Sequence, residues 1–211
     1  MECELLVPVF MKKSDKKAAI ELIEADVLRL SQSPLFSYRV QNGYMPVVGE
    51  GSLDAKILFV GEAPGKNEAV TGRPFCGAAG KILDALLSGV NLERKNVYIT
   101  SLVKDRPPEN RPPTLAEIDL YAPFLDRQIE LIGPKVVVTL GRHAMEYVMK
   151  RYGLESSLRP IGTVHGTFFS GKTESGSTLR VLPLYHPAAA LYRRPLLKTL
   201  EADFAVLKRV V

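Results

Sequence analysis

Two cysteines, Cys3 and Cys76, are all that the 211 residues contain. Two thiols cannot build a disulfide framework or a four-cysteine metal site, so an intracellular, metal-independent protein is expected. Long apolar runs are missing as well: none reaches the ~18 residues that a membrane-crossing helix needs. The start, Met1-Glu2-Cys3-Glu4-Leu5, places acids where a signal peptide needs bases, which argues against secretion and for the cytoplasm. Internal repeats, low-complexity tracts and convincing linkers are also lacking. One domain over residues 1–211 is therefore expected, with residues 1–50 as a helical and irregular lead-in.

The bulk composition is that of an ordinary soluble globular chain, 46% hydrophobic and 24% charged. An excess of 28 basic over 23 acidic residues gives +5. That excess suits a polyanion partner but selects none, and position says more than the total. Between Leu191 and Val211 stand Arg193, Arg194, Lys198, Lys208 and Arg209 against Glu201 and Asp203.

Helical period marks Lys16–Leu30 through Ala19, Leu22, Ile23, Val27 and Leu30. Ser31–Gly51 is rich in turn residues and reads as irregular. Lys56–Val60, Asn96–Leu102 and Lys135–Leu140 read as buried strands, followed by helices at Gly77–Leu87, from Thr114 to about Ile132, and at Gly141–Tyr152. Thr114-Leu115-Ala116-Glu117 is a capping box that fixes the start of the second of these. Thr163–Phe169 and Thr178–Pro183 read as strands joined by a turn-rich stretch, and Leu196–Val210 as a last helix. Such alternation indicates an α/β fold with a mostly parallel sheet covered on both faces.

The stretch Gly166–Thr173 matches the phosphate-binding expression G-x-x-x-x-G-K-T letter for letter. That loop works only when a helix begins at its Lys-Thr, so that helical N–H groups point at phosphate. Here Thr167-Phe168-Phe169 reads as strand and Glu174-Ser175-Gly176-Ser177 starts a helix badly, so a hairpin turn is expected. Gly61–Lys66 fails too, with glycines one residue too close and Asn67 where a magnesium-binding hydroxyl belongs.

Two other loops are more informative. Gly61-Glu62-Ala63-Pro64-Gly65 and His186-Pro187-Ala188-Ala189-Ala190-Leu191 each follow a short apolar strand. Ligands of open α/β sheets bind beyond the carboxyl ends of the strands, so Glu62 and His186 are placed to share a pocket. Glu62 also fits a plain turn carboxylate. Phe75, behind the rigid Pro74, reads as core or as a platform on which a flat base stacks. His143, on a helix, and His165, on an expected strand, read as structural. The run of small residues before Leu191, Tyr192, Arg193 and Arg194 suits a loop whose tip wedges between bases while arginines hold phosphates. It fits a helix N-terminus with a surface basic pair equally well.

Taken in series, Gly61–Gly65 with Glu68, Gly72-Arg73-Pro74-Phe75, Arg106–Arg111 and His186-Pro187-Ala188 resemble family 4 of the uracil-DNA glycosylase superfamily, from Gly49 to the C-terminus. The resemblance implies a three-layer α/β/α sandwich around a central four-stranded parallel sheet. It implies hydrolysis of the N-glycosidic bond of uracil flipped out of DNA, leaving an abasic site. By matching position, Phe75 would stack on the base, and Glu62 with the Ala63 backbone would line the water side. Glu68 and Asn110 would support the site or the strand, and His186 would hydrogen-bond uracil O2.

The sequence departs from the family in three places. The cysteines of the family's iron–sulfur cluster are missing: no CxxC stands near Ser31–Pro34, Asp105 replaces one cysteine, and none stands at Asp119–Tyr121. No cofactor is therefore expected, and ordinary packing would hold the lead-in. Ser101 stands where the strand end usually carries an asparagine, which reads the edge of uracil with donor and acceptor together. Ala69 follows Glu68 where an acid is common. Three functions compete on this basis: a monofunctional glycosylase, with or without an altered base range; a non-catalytic binder of uracil or abasic sites; and a P-loop nucleotidase. The expected partner of the first is uracil-containing DNA, met by a monomer away from membranes.

Overall fold

The computed structural model describes residues 13–174 and 176–210. Met1–Leu5 with Cys3, Ser175 of the turn-rich stretch and Val211 lie outside the described residues. Four parallel strands form the centre of one sheet: β2 (Ile57–Gly61), β3 (Tyr98–Ser101), β4 (Val136–Leu140) and β6 (Thr178–Leu184). Two short antiparallel strands, β1 (Glu50–Gly51) and β5 (Phe169–Lys172), extend it to the order β1-β3-β2-β4-β6-β5. The expected four-stranded parallel sheet is thus the core of a six-stranded mixed one. β1 is only two residues long, too short to leave a period in the sequence.

Strand side chains alternate between faces, and here both faces are covered, so β2 and β4 are apolar nearly throughout. Ile57 and Phe59 pack with α4 (Ala78–Ser88) and α9 (Pro195–Ala205). Leu58 and Val60 pack with α1 (Lys13–Leu28), α5 (Leu115–Ile132) and α6 (Arg142–Arg151). This is the α/β/α sandwich. Phe59 stacks on Phe204 with ring centroids 5.9 Å apart, and burial of one such ring contributes about 1.5–3 kcal/mol. Among the described residues no helix is long and apolar enough to cross a membrane.

Local signals placed α5 well. Thr114 Oγ1 accepts from Glu117 N–H at 3.2 Å and Glu117 Oε2 accepts from Thr114 N–H at 2.8 Å, closing the capping box. The lead-in holds more structure than expected. Ser33-Pro34 reads as a turn, yet Ser33 caps α2 (Pro34–Gln41) by accepting the Leu35 N–H at 3.1 Å, with Pro34 in the first turn. Polar contacts take part in the packing that holds the lead-in. Arg39, on α2, reaches the Asp105 carboxylate at 3.0 Å, and Tyr121 bonds both Asp105 (2.6 Å) and Ser33 (3.0 Å).

Thr163–Phe169 is not a strand. The helical turn α7 (Ile161–Val164) ends at His165, Gly166 takes a left-handed φ of 71°, and β5 begins only at Phe169. His165 therefore sits behind a helical turn and pairs with Asp203 at 2.8 Å. Residues Phe169–Lys172 of the P-loop-like stretch form β5 of a hairpin, and Lys172 donates to Thr178. Among the described residues no helix starts there, which argues against the nucleotidase reading. The last helix is shorter than expected, α9 giving way to a 3-10 turn at Val206–Arg209.

Candidate active site

A cavity of about 400 Å³ opens beyond the carboxyl ends of β2, β3 and β6. Glu62 and Ala63 leave β2, Ser101 ends β3 and His186 follows β6, and all four line the cavity. Glu68, Phe75 and Asn110 complete its wall from the intervening segments. The sequence reading missed Arg111, which also faces the cavity and clamps Glu117 at 2.6 Å. Glu68 lies on an unexpected short helix, α3 (Lys66–Thr71).

Phe75 is held in a conformation that side chains avoid, with φ of 49°. Strain of ~1–3 kcal/mol persists only where neighbours over-determine the backbone. Here Arg94 donates to the carbonyls of Pro74 (2.6 Å) and Phe75 (3.2 Å). On the other side Glu68 Oε1 accepts from the N–H groups of Cys76 (3.0 Å) and Gly77 (2.9 Å), at the start of α4. The carboxylate thus replaces the cap that Gly77 cannot supply and meets the positive helix end. Two glycines make room. A Cβ on Gly80 would lie 1.8 Å from the Phe75 carbonyl oxygen, and one on Gly61 would lie 2.8 Å from the Phe75 ring.

Phe75 and His186 touch. Their ring centroids are 5.5 Å apart and the planes meet at 24°. A base sandwiched between them would need about 7 Å, two carbon contact distances. The two rings therefore form adjoining parts of one wall, not jaws around a base. His186 Nδ1 accepts the Ala188 N–H at 3.1 Å, which leaves the ring proton on Nε2. Burial lowers the His186 pKa, while the Glu62 and Glu68 carboxylates pull it the other way. An unfolded chain takes up a proton near pH 6.5 and the folded one only lower, so this residue costs stability as pH falls through that window. Imidazole ¹⁵N shifts should show the neutral Nε2–H form at pH 6.5. A ring already half protonated there would contradict the geometry.

Asn110 also has a positive φ, 55°, and its Oδ1 accepts from Arg106 Nε at 2.8 Å. Arg106 in turn bonds the Tyr44 hydroxyl at 2.9 Å. Beneath Ser101 lies Lys104, fully buried, donating to Ser101 O (2.6 Å), Thr100 Oγ1 (2.7 Å) and Gln128 Oε1 (2.6 Å). Burial pulls its pKa well down, and three short acceptors oppose that pull. The effect is to fix the backbone at the end of β3.

A strand-end carboxylate, an imidazole and an aromatic ring packed over β2 thus line one cavity. The family model described as Uracil DNA glycosylase superfamily matches residues 48–207. The chain belongs to the uracil-DNA glycosylase superfamily. It is 42% identical over 193 residues to a Type-4 uracil-DNA glycosylase of Saccharolobus solfataricus, covering 91% of this chain and 86% of the relative. A Type-4 uracil-DNA glycosylase of Sulfurisphaera tokodaii is 43% identical over 193 residues (91% and 84%). One from Thermotoga maritima is 37% identical over 179 residues (85% and 86%).

The resemblance to family 4 implies cluster cysteines at two places that the structure describes. Asp105, where one is expected, and Tyr121, within the Asp119–Tyr121 stretch where the last is expected, carry oxygen and are bonded to Arg39 and Ser33. Among the described residues no group of three or more His, Cys, Asp and Glu is placed to hold a metal. Cys76 lies elsewhere, 3.3 Å from the Thr71 hydroxyl. Beyond the pocket, Ala190 is buried and anchors the short helix α8 (Ala189–Tyr192). Leu191 and Tyr192 project at 46% and 87% exposure, with Arg193 and Arg194 exposed beside them.

Proposed function

We propose that this superfamily member hydrolyses the N-glycosidic bond of uracil flipped out of DNA and leaves an abasic site. The observation that carries the reading is the pairing of Glu62 and His186 at one cavity, the imidazole with its proton on Nε2. Uracil leaves with the electrons of the C1′–N1 bond, so negative charge grows on its O2. A neutral Nε2–H pre-aimed at that oxygen stabilises the departing anion without reorganisation. Glu62 stabilises positive charge on the sugar and takes the proton of the water whose oxygen adds to C1′. Phe75 offers one face to the base, offsetting part of the few kcal/mol lost on flipping. The described residues that line the pocket include no lysine to form a Schiff base, and no strand cleavage is proposed.

Leu191 and Tyr192 are proposed to enter the space of the extruded nucleotide while Arg193 and Arg194 meet phosphates. Every group used comes from one chain, so a monomer suffices. Labelled uracil-DNA, single- or double-stranded, incubated with the protein and heated in alkali, tests the reading. Alkali-labile product well above that of His186→Ala supports it; tight binding of uracil-DNA without base release sinks it.

Base choice is proposed to rest on Ser101. A hydroxyl reads the pyrimidine edge less selectively than an amide, so Ser101→Asn should raise the preference for uracil over hypoxanthine and xanthine. An unaltered profile across a panel of damaged bases would remove Ser101 from the base-reading set.

A further inference from the structure

His143 carries a contact that nothing in its sequence neighbourhood suggests. It opens α6, immediately beyond the end of β4, and the preceding Gly141 packs directly against His186: a Cβ there would lie 3.3 Å from His186 Cβ. The turn between β4 and α6 therefore forms the back of the pocket wall. From that turn His143 Nδ1 reaches Glu62 Oε2 at 2.7 Å, with both side chains more than two thirds buried. On its other side, Arg142 Nη2 stands 3.2 Å from His143 Nε2.

The donor inventory fixes the proton. Arginine has only N–H donors and does not deprotonate, so Nε2 accepts and the imidazole proton sits on Nδ1. Arg142 donates to His143, and His143 donates to Glu62. One carboxylate oxygen is thereby held, and Oε1 remains for water. We infer that His143 is a positioning residue for the reaction: it fixes the Glu62 carboxylate so that its second oxygen meets the attacking water. The inference rests on the proposed role of Glu62. Proton positions on the two histidines are opposite, Nδ1–H at His143 and Nε2–H at His186, because each ring answers a different donor.

Single-turnover uracil release by the full chain tests it. His143→Leu should lower the rate on the order of 10- to 100-fold, the worth of a hydrogen bond to a charged group, while the affinity for uracil-DNA stays within about twofold. His143→Asn, whose amide N–H overlies Nδ1–H, should recover most of the loss. In a Glu62→Ala background His143→Leu should cost almost nothing more, because the two residues act as one unit. An equal loss in that background, an Asn variant as slow as Leu, or no loss at all would overturn the inference. Thermal melts of each variant separate misfolding from mispositioning. If the wild-type chain releases no uracil, the functional reading fails by itself. The bond is then read by NMR: a downfield His143 Nδ1–H resonance in wild type that is lost in Glu62→Ala is expected, and its absence in wild type overturns the contact.

Discussion

Replacing His186 with alanine should lower single-turnover uracil release roughly 10²–10³-fold, the cost of removing one donor from a developing oxyanion. Binding of uracil-DNA should change far less, because phosphate contacts dominate affinity and the exposed Leu191–Arg194 segment is untouched. The argument depends on the bond from Ala188 N–H to Nδ1, which makes the ring neutral and leaves Nε2–H as its donor. Protonating the ring would break that bond and place a cation where burial disfavours it. A variant that kept wild-type rates would show that O2 is met by some other group, and the wall of Phe75 and His186 would then be only structural.

Arg39→Met should lower stability by about 3–5 kcal/mol, the usual result of leaving one member of a buried ion pair alone. Arg39 and Asp105 are almost wholly buried, with side chains 5% and 0% exposed. Arg39 also donates to the carbonyls of Val27 (3.1 Å) and Leu28 (2.6 Å), so the substitution strips the end of α1 as well as the carboxylate. For a chain of this size the loss corresponds to a melting temperature lower by about 10 °C. Arg127→Met is the control. Its partner Asp26 is closer still at 2.7 Å, but the pair is 44% and 45% exposed and should be worth at most about 1 kcal/mol. Equal effects from the two substitutions would deny the lead-in its buried anchor.

Where the signal was local, the sequence was legible. The capping box at Thr114–Glu117 and the apolar runs of β2 and β4 each depend on residues within one element. The placement of Glu62 and His186 followed from strand ends alone, since the topology of parallel sheets brings such ends together. Ser33-Pro34 misled because one dipeptide serves both as a turn and as a helix start, and only the Leu35 N–H decides between them. β5 was read too early because Gly166 and the Pro183 carbonyl, not the apolar letters, set where pairing begins.

Contacts between distant residues were illegible. Glu62 and His143 are 81 positions apart, and Arg39 and Asp105 are 66 apart. A histidine on a helix gives no sign of which carboxylate the fold brings to it. For the same reason the ordinary packing expected to hold the lead-in gave no sign of the buried ion pair and two hydroxyls that take part in it. The adjoining of Phe75 and His186 at 5.5 Å, which makes the two rings parts of one wall, likewise required coordinates.

A crystal structure of the Glu62→Gln variant with uracil-containing DNA tests the central claim most directly. The account predicts an extruded uracil lying against the Phe75 face, its O2 about 3 Å from His186 Nε2. A base stacked in the duplex, or one seated away from both rings, would contradict it.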